Sequence, residues 1–372
     1  MTKPTHRKRV SLRCLSHCLV FLGTTALSAA SAQQIDGPAT GLAENNPGVV
    51  VRHVRRVFHN GQHNAFTDLV RFGDKFFLTF RSCPDGHMVF PTSKILILQS
   101  DDTVHWKQVA QFNVPQRDTR DPHFLVFQDK LFVYTGTWYS GDGELPRDQY
   151  DLNLHLGYGV VSTDGRLWSE PFLLEGTFGH YIWRAAAFGG KAYLCGRRKH
   201  DFAVGPKGEG QTVESAMLES DDGVIWRTRG LFQTERGDET AFVFEPDGKV
   251  TGVARRGSGN AQLVTSRPPY HQWTRRDLER YIGGPLLTRW GDRWVVGGRK
   301  NVAGLGPKTA LSWMQSGKLH EFARLPSGGD NSYPGFVAIS DNHAVVSWYS
   351  SHEKDAQGKP MTAIYMADLM IE

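Results

Sequence analysis

The sequence predicts an all-β fold, a six-bladed β-propeller of four-stranded antiparallel blades. Three observations carry that prediction. A tight turn built from Gly, Asp, Asn or Gln, flanked by apolar stretches of strand length, recurs six times after residue 60. From Lys75 in the first turn to His343 in the last is 268 residues over five intervals, a mean near 54. No stretch keeps an amphipathic helical period for more than two turns. A unit of this length with four short strands cannot bury both sheet faces alone, so successive units must stack around an axis. Six copies in register weigh against a two-sheet sandwich.

The turns are Gly73-Asp74-Lys75, Gln128-Asp129-Lys130, Gly189-Gly190-Lys191, Asp247-Gly248-Lys249, Gly291-Asp292-Arg293 and Asp341-Asn342-His343. Their flanks run or alternate apolar, as in Phe76-Phe77-Leu78 and Trp294-Val295-Val296, which is the hairpin pattern. A second element lies between turns: Ser100 to Trp106, Ser162 to Trp168 and Ser220 to Trp226 each read Ser-x-Asp-x-x-x-Trp. The Asp can bond its own downstream amides, and the Trp plugs the turn against the sheet. Thr265 to Trp273 looks like a decayed fourth copy. Two inserts, 139–153 and 199–212, read as loops.

The N-terminus has a different character. Residues 1–32 hold Lys3, Arg7, Lys8, Arg9 and Arg13 and no acid, then an apolar run from Leu19 to Leu27, then Ala30-Ser31-Ala32. Basic, apolar and small residues in that order predict a cleaved secretory signal. The run is far shorter than the ~20 residues of a membrane span, and no later segment is long and apolar enough. The domain plan is therefore a signal over 1–32, a loose leader over 33–55 and the propeller over 56–372, in a secreted, periplasmic or extracellular protein. The whole chain carries 43 Lys+Arg against 38 Asp+Glu. Without the signal, 38 basic groups face 38 acidic ones, so charge gives no reason to expect nucleic acid as a partner. Only Cys83 and Cys195 follow the signal, which excludes a disulfide scaffold and a cysteine-rich metal site and leaves one bridge open.

The repeat aims particular residues at one rim. Six positions after the third turn residue stand Arg81, Gly136, Arg197, Arg255, Arg299 and Tyr349; ten positions before it stand Ala65, Arg120, Tyr181, Glu239, Gly283 and Tyr333. Asn64, Asp121, Trp183 and Arg184 lie close by. Each Arg alone could be a structural plug on a carboxylate. Two guanidinium groups ~5 Å apart repel by roughly 3 kcal/mol at an effective dielectric near 20, so a ring of them needs acids or an anionic ligand. Glu239, Asp121, Asp85 and Glu353 can neutralise some. The shortage of further acids favours an anion site, a carboxylate or sulfate suiting the planar guanidinium fork. Glu239 and Tyr333 form a second pair: a carboxylate that takes a phenol's proton makes it a usable nucleophile, and a neutral nucleophile is not repelled by an anionic substrate. A buried Tyr satisfying its hydroxyl on Glu is the alternative.

These residues resemble the sialidase (neuraminidase) superfamily of six-bladed propellers with Asp-box repeats. The three Ser-x-Asp turns are similar to Asp boxes shortened by one residue. The stretch from Glu239 to Asp247-Gly248 and on to Arg255 is similar to the family's segment carrying the tyrosine's glutamate partner and one carboxylate-binding arginine. Arg299 falls where the next arginine is expected, and Tyr333, in Asn-Ser-Tyr-Pro-Gly, falls in the blade of the nucleophilic tyrosine. The resemblance covers most of residues 60–368. The family's opening Arg-Ile-Pro is absent: His63-Asn64-Ala65-Phe66-Thr67 stands there, leaving Arg120 or Arg81 as substitutes. The family's acid/base Asp maps to Asp85, with His87 as a competing donor.

The resemblance implies a secreted, retaining, exo-acting glycosidase for an acidic sugar. Tyr333 attacks, Glu239 accepts its proton and Asp85 is the acid/base. Arg255 and Arg299, with Arg81, Arg120 or Arg197 and with Asp121, bind the substrate. No metal or other cofactor is expected, and the chain is read as a monomer whose partner is an acidic glycan. Two rivals remain: a glycosidase or lyase on uronic or sulfated glycans, with Tyr333 or His123 as base near Arg120-Asp121-Pro122-His123, and a non-catalytic glycan-binding propeller.

Overall fold

Six antiparallel sheets lie around an axis in the computed structural model, which describes residues 48–204 and 212–372 and the backbone of Ala29–Ser31 and Gln33–Gln34. In the first blade the strands are His63–Phe72, Lys75–Cys83, Lys94–Ser100 and His105–Phe112, paired in chain order from axis to rim. The inner strands of the other blades are Arg117–Phe127, Tyr181–Phe188, Thr240–Phe244, Gly283–Trp290 and Asn331–Ala338. Each inner strand contacts that of the next blade, and the sixth returns to the first, which closes the ring.

All six predicted turns join an inner strand to its second strand. The backbone requirement is explicit at three of them. Gln128 and Asp129, then Gly189 and Gly190, have φ between 50° and 75°, and Gly73 has φ 61°. Two consecutive left-handed residues turn the chain with the twist that flanking strands demand. The register also follows the prediction: Ala65 pairs Arg81, Arg120 pairs Gly136, Tyr181 pairs Arg197 and Gly283 pairs Arg299. In the sixth blade Ser332, not Tyr333, pairs Tyr349, because four residues rather than two separate its first two strands at their turn.

The Ser-x-Asp turns are alike in detail. Ser100 Oγ accepts from Thr103 N at 2.9 Å, while Asp102 Oδ1 accepts from the amides of Val104 and His105 at 2.9 and 2.8 Å. Ser162 with Asp164, and Ser220 with Asp222, repeat the pattern. Trp106 and Trp226 are buried behind their turns. Trp226 also meets Tyr134 of the second blade edge-on at 5.6 Å, and Tyr134 donates to Gly223 O in the same turn at 2.9 Å. The turn thus fastens one blade to the next.

The leader expectation needs correction. Val49–Phe58 is the fourth strand of the sixth blade counted from the axis, paired with Pro360–Ile371 on one side and with the short Gln33–Gln34 on the other. Residues 49–55 therefore belong to the propeller. The start of the chain completes the last sheet, which a strand count beginning after residue 60 overlooks; burial of Val49 and Val57 supplies the apolar drive. The expected signal lies outside the described residues except for Ala29–Ser31, whose backbone pairs with His105–Lys107. Among the described residues no helix is long and apolar enough to cross a membrane. Cys83 and Cys195 are both free and buried.

Candidate functional site

One irregularity recurs at the axis end of five inner strands. Two residues there face one on the second strand, between Ala65 and Asp68, Arg120 and His123, Ile182 and Ala185, Gly283 and Leu286, and Ser332 and Gly335. The extra residue is a β-bulge, which bends the strand and re-aims a side chain. In four blades the first bulged residue is left-handed: Phe66 (φ 66°), Asp121 (φ 53°), Gly284 (φ 58°) and Tyr333 (φ 51°). Left-handed backbone at three non-glycine residues around one opening is strain of the kind that collects at functional sites.

Tyr333 and Glu239 meet there. The Tyr333 hydroxyl donates to Glu239 Oε1. Oε2 accepts from Arg255 Nη1 at 3.1 Å and from the Gly284 amide at 3.0 Å. The phenol ring is held by Phe66, Trp183 and Tyr349, with centroids 4.9, 5.8 and 5.9 Å away. Burial pushes the Glu239 carboxyl upward, but the Arg255 charge, the hydrogen bonds from Tyr333 and Arg255, and the Arg197 charge outweigh it and hold it below the usual range. Burial, then the Glu239 and Asp121 charges, raises the phenol well above its ordinary value. The resting pair is thus a carboxylate holding a protonated phenol, ready to take its proton as charge develops.

Gly284 permits this contact. A Cβ there would lie 2.6 Å from Tyr333 Cδ2 and 2.9 Å from Ser332 Oγ, at a φ of 58°. Gly284→Ala is expected to displace the phenol from Glu239, and any turnover that depends on this pair is expected to fall by about 10²-fold, the scale at which a misplacement of ~1 Å acts. Steady-state kinetics beside a thermal melt will separate that loss from unfolding.

The two acids the sequence placed near the mouth, Asp85 and Asp121, differ in environment. Asp85 is exposed, and its carboxylate accepts from the Thr92 hydroxyl. Asp121 is buried; its Oδ2 accepts from Tyr181, and its Oδ1 has no hydrogen-bond partner among the described residues. Burial and the Glu239 charge push it up to about 6, against the opposing pull of Arg120 and the Tyr181 hydrogen bond. Its charge is also felt by Tyr333 and Tyr349. A carboxyl that shares Tyr333's opening and holds its proton near neutral pH is suited to general-acid work. The sequence placed Asp121 among substrate contacts; the positive φ at its bulge turns it inward. His87 binds Asp330 instead.

The arginines divide into two groups. Arg81 is wholly buried: Nε and Nη2 donate to the two Asp118 oxygens at 3.0 Å, and Nη1 and Nη2 also reach Gly86 O and Met88 O at 2.9 Å. It is a structural plug, not a substrate ligand. Arg120 shares Asp118 and donates to His87 O and Met88 O. Arg184 ties Asp68, Pro285 O and Pro334 O together across the axis. Arg197 donates to Asp238 Oδ1 at 2.8 Å and lies over the Tyr181 ring. Arg255 and Arg299 instead line a pocket of about 330 Å³ with Ser258, Tyr281, Asn301 and Pro307. Arg299 is loosely held, reaching Asn331 O at 3.3 Å and the Tyr281 hydroxyl at 3.4 Å.

The expected shortage of acids is overturned. Asp68, Asp118, Asp238 and Asp330 pair with Arg184, Arg81 and Arg120, Arg197 and Arg255, and Arg299 respectively. Three of these acids sit one to three residues before a register position and Asp68 sits three after one, so counting at fixed intervals passes over them. Glu353, expected to help neutralise the mouth, lies near the end of the sixth blade's second strand and pairs Arg56 of Val49–Phe58 at 2.7 Å. Any preference for an anion therefore rests on the spare donors of Arg255 and Arg299, not on excess positive charge. His123, the alternative base, is sealed beneath Trp183 at 4.8 Å and is 1% exposed.

The fold is a sialidase-like six-bladed propeller. Comparison with solved structures agrees. A Dyadobacter fermentans protein of unknown function superposes with a TM-score of 0.72 at 18% identity, covering 88% of this chain and 100% of that one. Trypanosoma rangeli sialidase gives 0.59 at 13% identity over 84% of this chain and 55% of that one, so this chain spans little more than half of the enzyme. Phage phi92 endosialidase gives 0.61 at 9% identity, covering 86% and 69%. One structure of the trypanosome enzyme holds 2,3-difluorosialic acid as a covalent intermediate. No protein-family model matches the chain, and neither does any curated protein sequence.

Proposed function

We propose that this protein is a secreted, exo-acting glycoside hydrolase that releases a terminal acidic sugar with retention of configuration through a tyrosine nucleophile. The observation that carries the reading is the Tyr333–Glu239 hydrogen bond, with Arg255 and the Gly284 amide on the other carboxylate oxygen. Tyr333 Oη attacks the anomeric carbon as Glu239 takes the phenolic proton. Asp121 delivers its proton to the departing glycosidic oxygen, whose bond to carbon breaks. In the second half, Asp121, now a carboxylate, draws a proton from water, and the attacking water oxygen displaces the tyrosyl ether as Glu239 returns its proton.

Arg255 and Arg299 provide the reason for an acidic sugar: two forked donor groups line one pocket, whose volume of about 330 Å³ is at the small end for ligand sites and suits a single ring rather than a chain. Secretion rests on the pattern of residues 1–32. Turnover of aryl α-sialosides, aryl uronides, sulfated aryl glycosides and neutral aryl glycosides, with product anomers followed by NMR, tests the reading. Release from one acidic class with the retained anomer appearing first is expected. Binding without release, an inverted product, or an unsaturated product absorbing in the ultraviolet would each overturn it.

A further inference from the structure

We propose that His63, His87 and Asp330 form a site for one divalent transition-metal ion of the zinc class, joining the first blade to the sixth on the rim of the same mouth. His63 opens the inner strand of the first blade, His87 lies in the loop after that blade's second strand, and Asp330 immediately precedes the inner strand of the sixth. Their ligand atoms all lie within 4.8 Å of one another. His63 Nε2 is 3.0 Å and His87 Nδ1 2.7 Å from the same oxygen, Asp330 Oδ2. Zinc with ligands at 2.0–2.2 Å sets tetrahedral donor atoms about 3.4 Å apart, so a small opening of this cluster admits the ion.

The donor set suits a borderline ion: two imidazoles and a carboxylate leave one position open. Asp330 is already oriented from behind, its Oδ1 accepting from the Tyr349 hydroxyl at 2.9 Å with Arg299 Nη1 at 3.7 Å, the supporting contacts metal-binding carboxylates require. His87 is exposed and supplies the entry path, whereas His63 is largely buried. The ligands come from opposite ends of the folded chain, so binding would staple the ring where it closes. The ion would also add positive charge beside the His63–Thr67 stretch, which lacks the arginine expected from the resemblance.

The test uses the full chain freed of metal by chelator dialysis. Calorimetric titration with zinc and visible spectroscopy with cobalt(II) are expected to show one ion per chain with four-coordinate bands, and zinc is expected to raise Tm. His87→Ala, on an exposed loop, is expected to weaken binding at least about 100-fold and to remove the bands, and Asp330→Asn to do the same. Absence of stoichiometric binding, or equal binding by His87→Ala, overturns the proposal. Because the readout is metal rather than turnover, its failure is distinct from failure of the hydrolase reading.

Discussion

Tyr333→Phe is expected to lower kcat by at least about three orders of magnitude if Tyr333 is the proposed nucleophile, while the propeller stays folded. The ring's contacts with Phe66, Trp183 and Tyr349 survive the change, since only the hydroxyl leaves. Glu239 keeps two of its three hydrogen-bond donors, from Arg255 and Gly284, so it is not stranded as a bare buried charge. The stability cost is then that of one hydrogen bond to a charged group, about 1.5–3 kcal/mol. Steady-state turnover of the best aryl glycoside, beside a urea melt, measures both quantities. Unchanged turnover rejects Tyr333 as nucleophile. Loss of turnover together with loss of the cooperative melt would assign the pair a structural role.

Asp121→Asn is expected to slow hydrolysis of substrates with poor leaving groups by about 10²–10⁴-fold, the usual range for general acid catalysis, with far less effect on an activated aryl leaving group. The pH dependence supplies a second reading. With Asp121 pushed up to about 6, the fraction able to donate a proton falls as pH rises through 6. Wild-type kcat/KM on a poor leaving group should therefore decline above that pH, and the variant should lack that limb. The sign of the stability effect follows from linkage. The folded pKa lies above the unfolded carboxyl value, so the folded state holds the proton longer. Stability from this group is complete below about pH 4 and is lost as pH rises through 6, amounting to roughly 3 kcal/mol at pH 7. The neutral asparagine escapes that loss, and its Tm at pH 7 should equal or exceed the wild-type value. A variant that keeps the alkaline limb would place the proton donor elsewhere.

The repeat was legible because it is local. A two-residue turn between apolar strands needs left-handed backbone wherever it occurs, so Gly189-Gly190 and Gln128-Asp129 announce themselves without reference to distant residues. Counting from such turns gave the inner-strand partners in most blades and brought Arg255, Glu239 and Tyr333 together on paper. The bulges were not legible. One added residue in five of the six inner strands moves the inward position from Ala65 to Phe66 and from Arg120 to Asp121, and a fixed count cannot register it. Nor was the pairing of Arg81 with Asp118 legible, since that carboxylate lies two residues before a register position and reaches Arg81 only once the blades pack. A signal of the bulge was present in three of the five: Pro122, Pro285 and Pro334 follow Asp121, Gly284 and Tyr333, so a residue that cannot donate a ladder bond follows those bulged positions, whereas Thr67 and Arg184 follow Phe66 and Trp183.

By itself the sequence determined the strands, the turns, the number of blades and the pairing of phenol with carboxylate, since these depend on spacing along the chain and on side-chain chemistry. Tertiary structure decided which arginines are spent on internal partners, which carboxyl is buried enough to keep its proton, and that Val49–Phe58 closes the last sheet. Those outcomes depend on desolvation and on groups far apart in the chain meeting within hydrogen-bond distance, as Asp330 meets His63 and His87. Neither quantity is written in the order of the residues until the ring has closed.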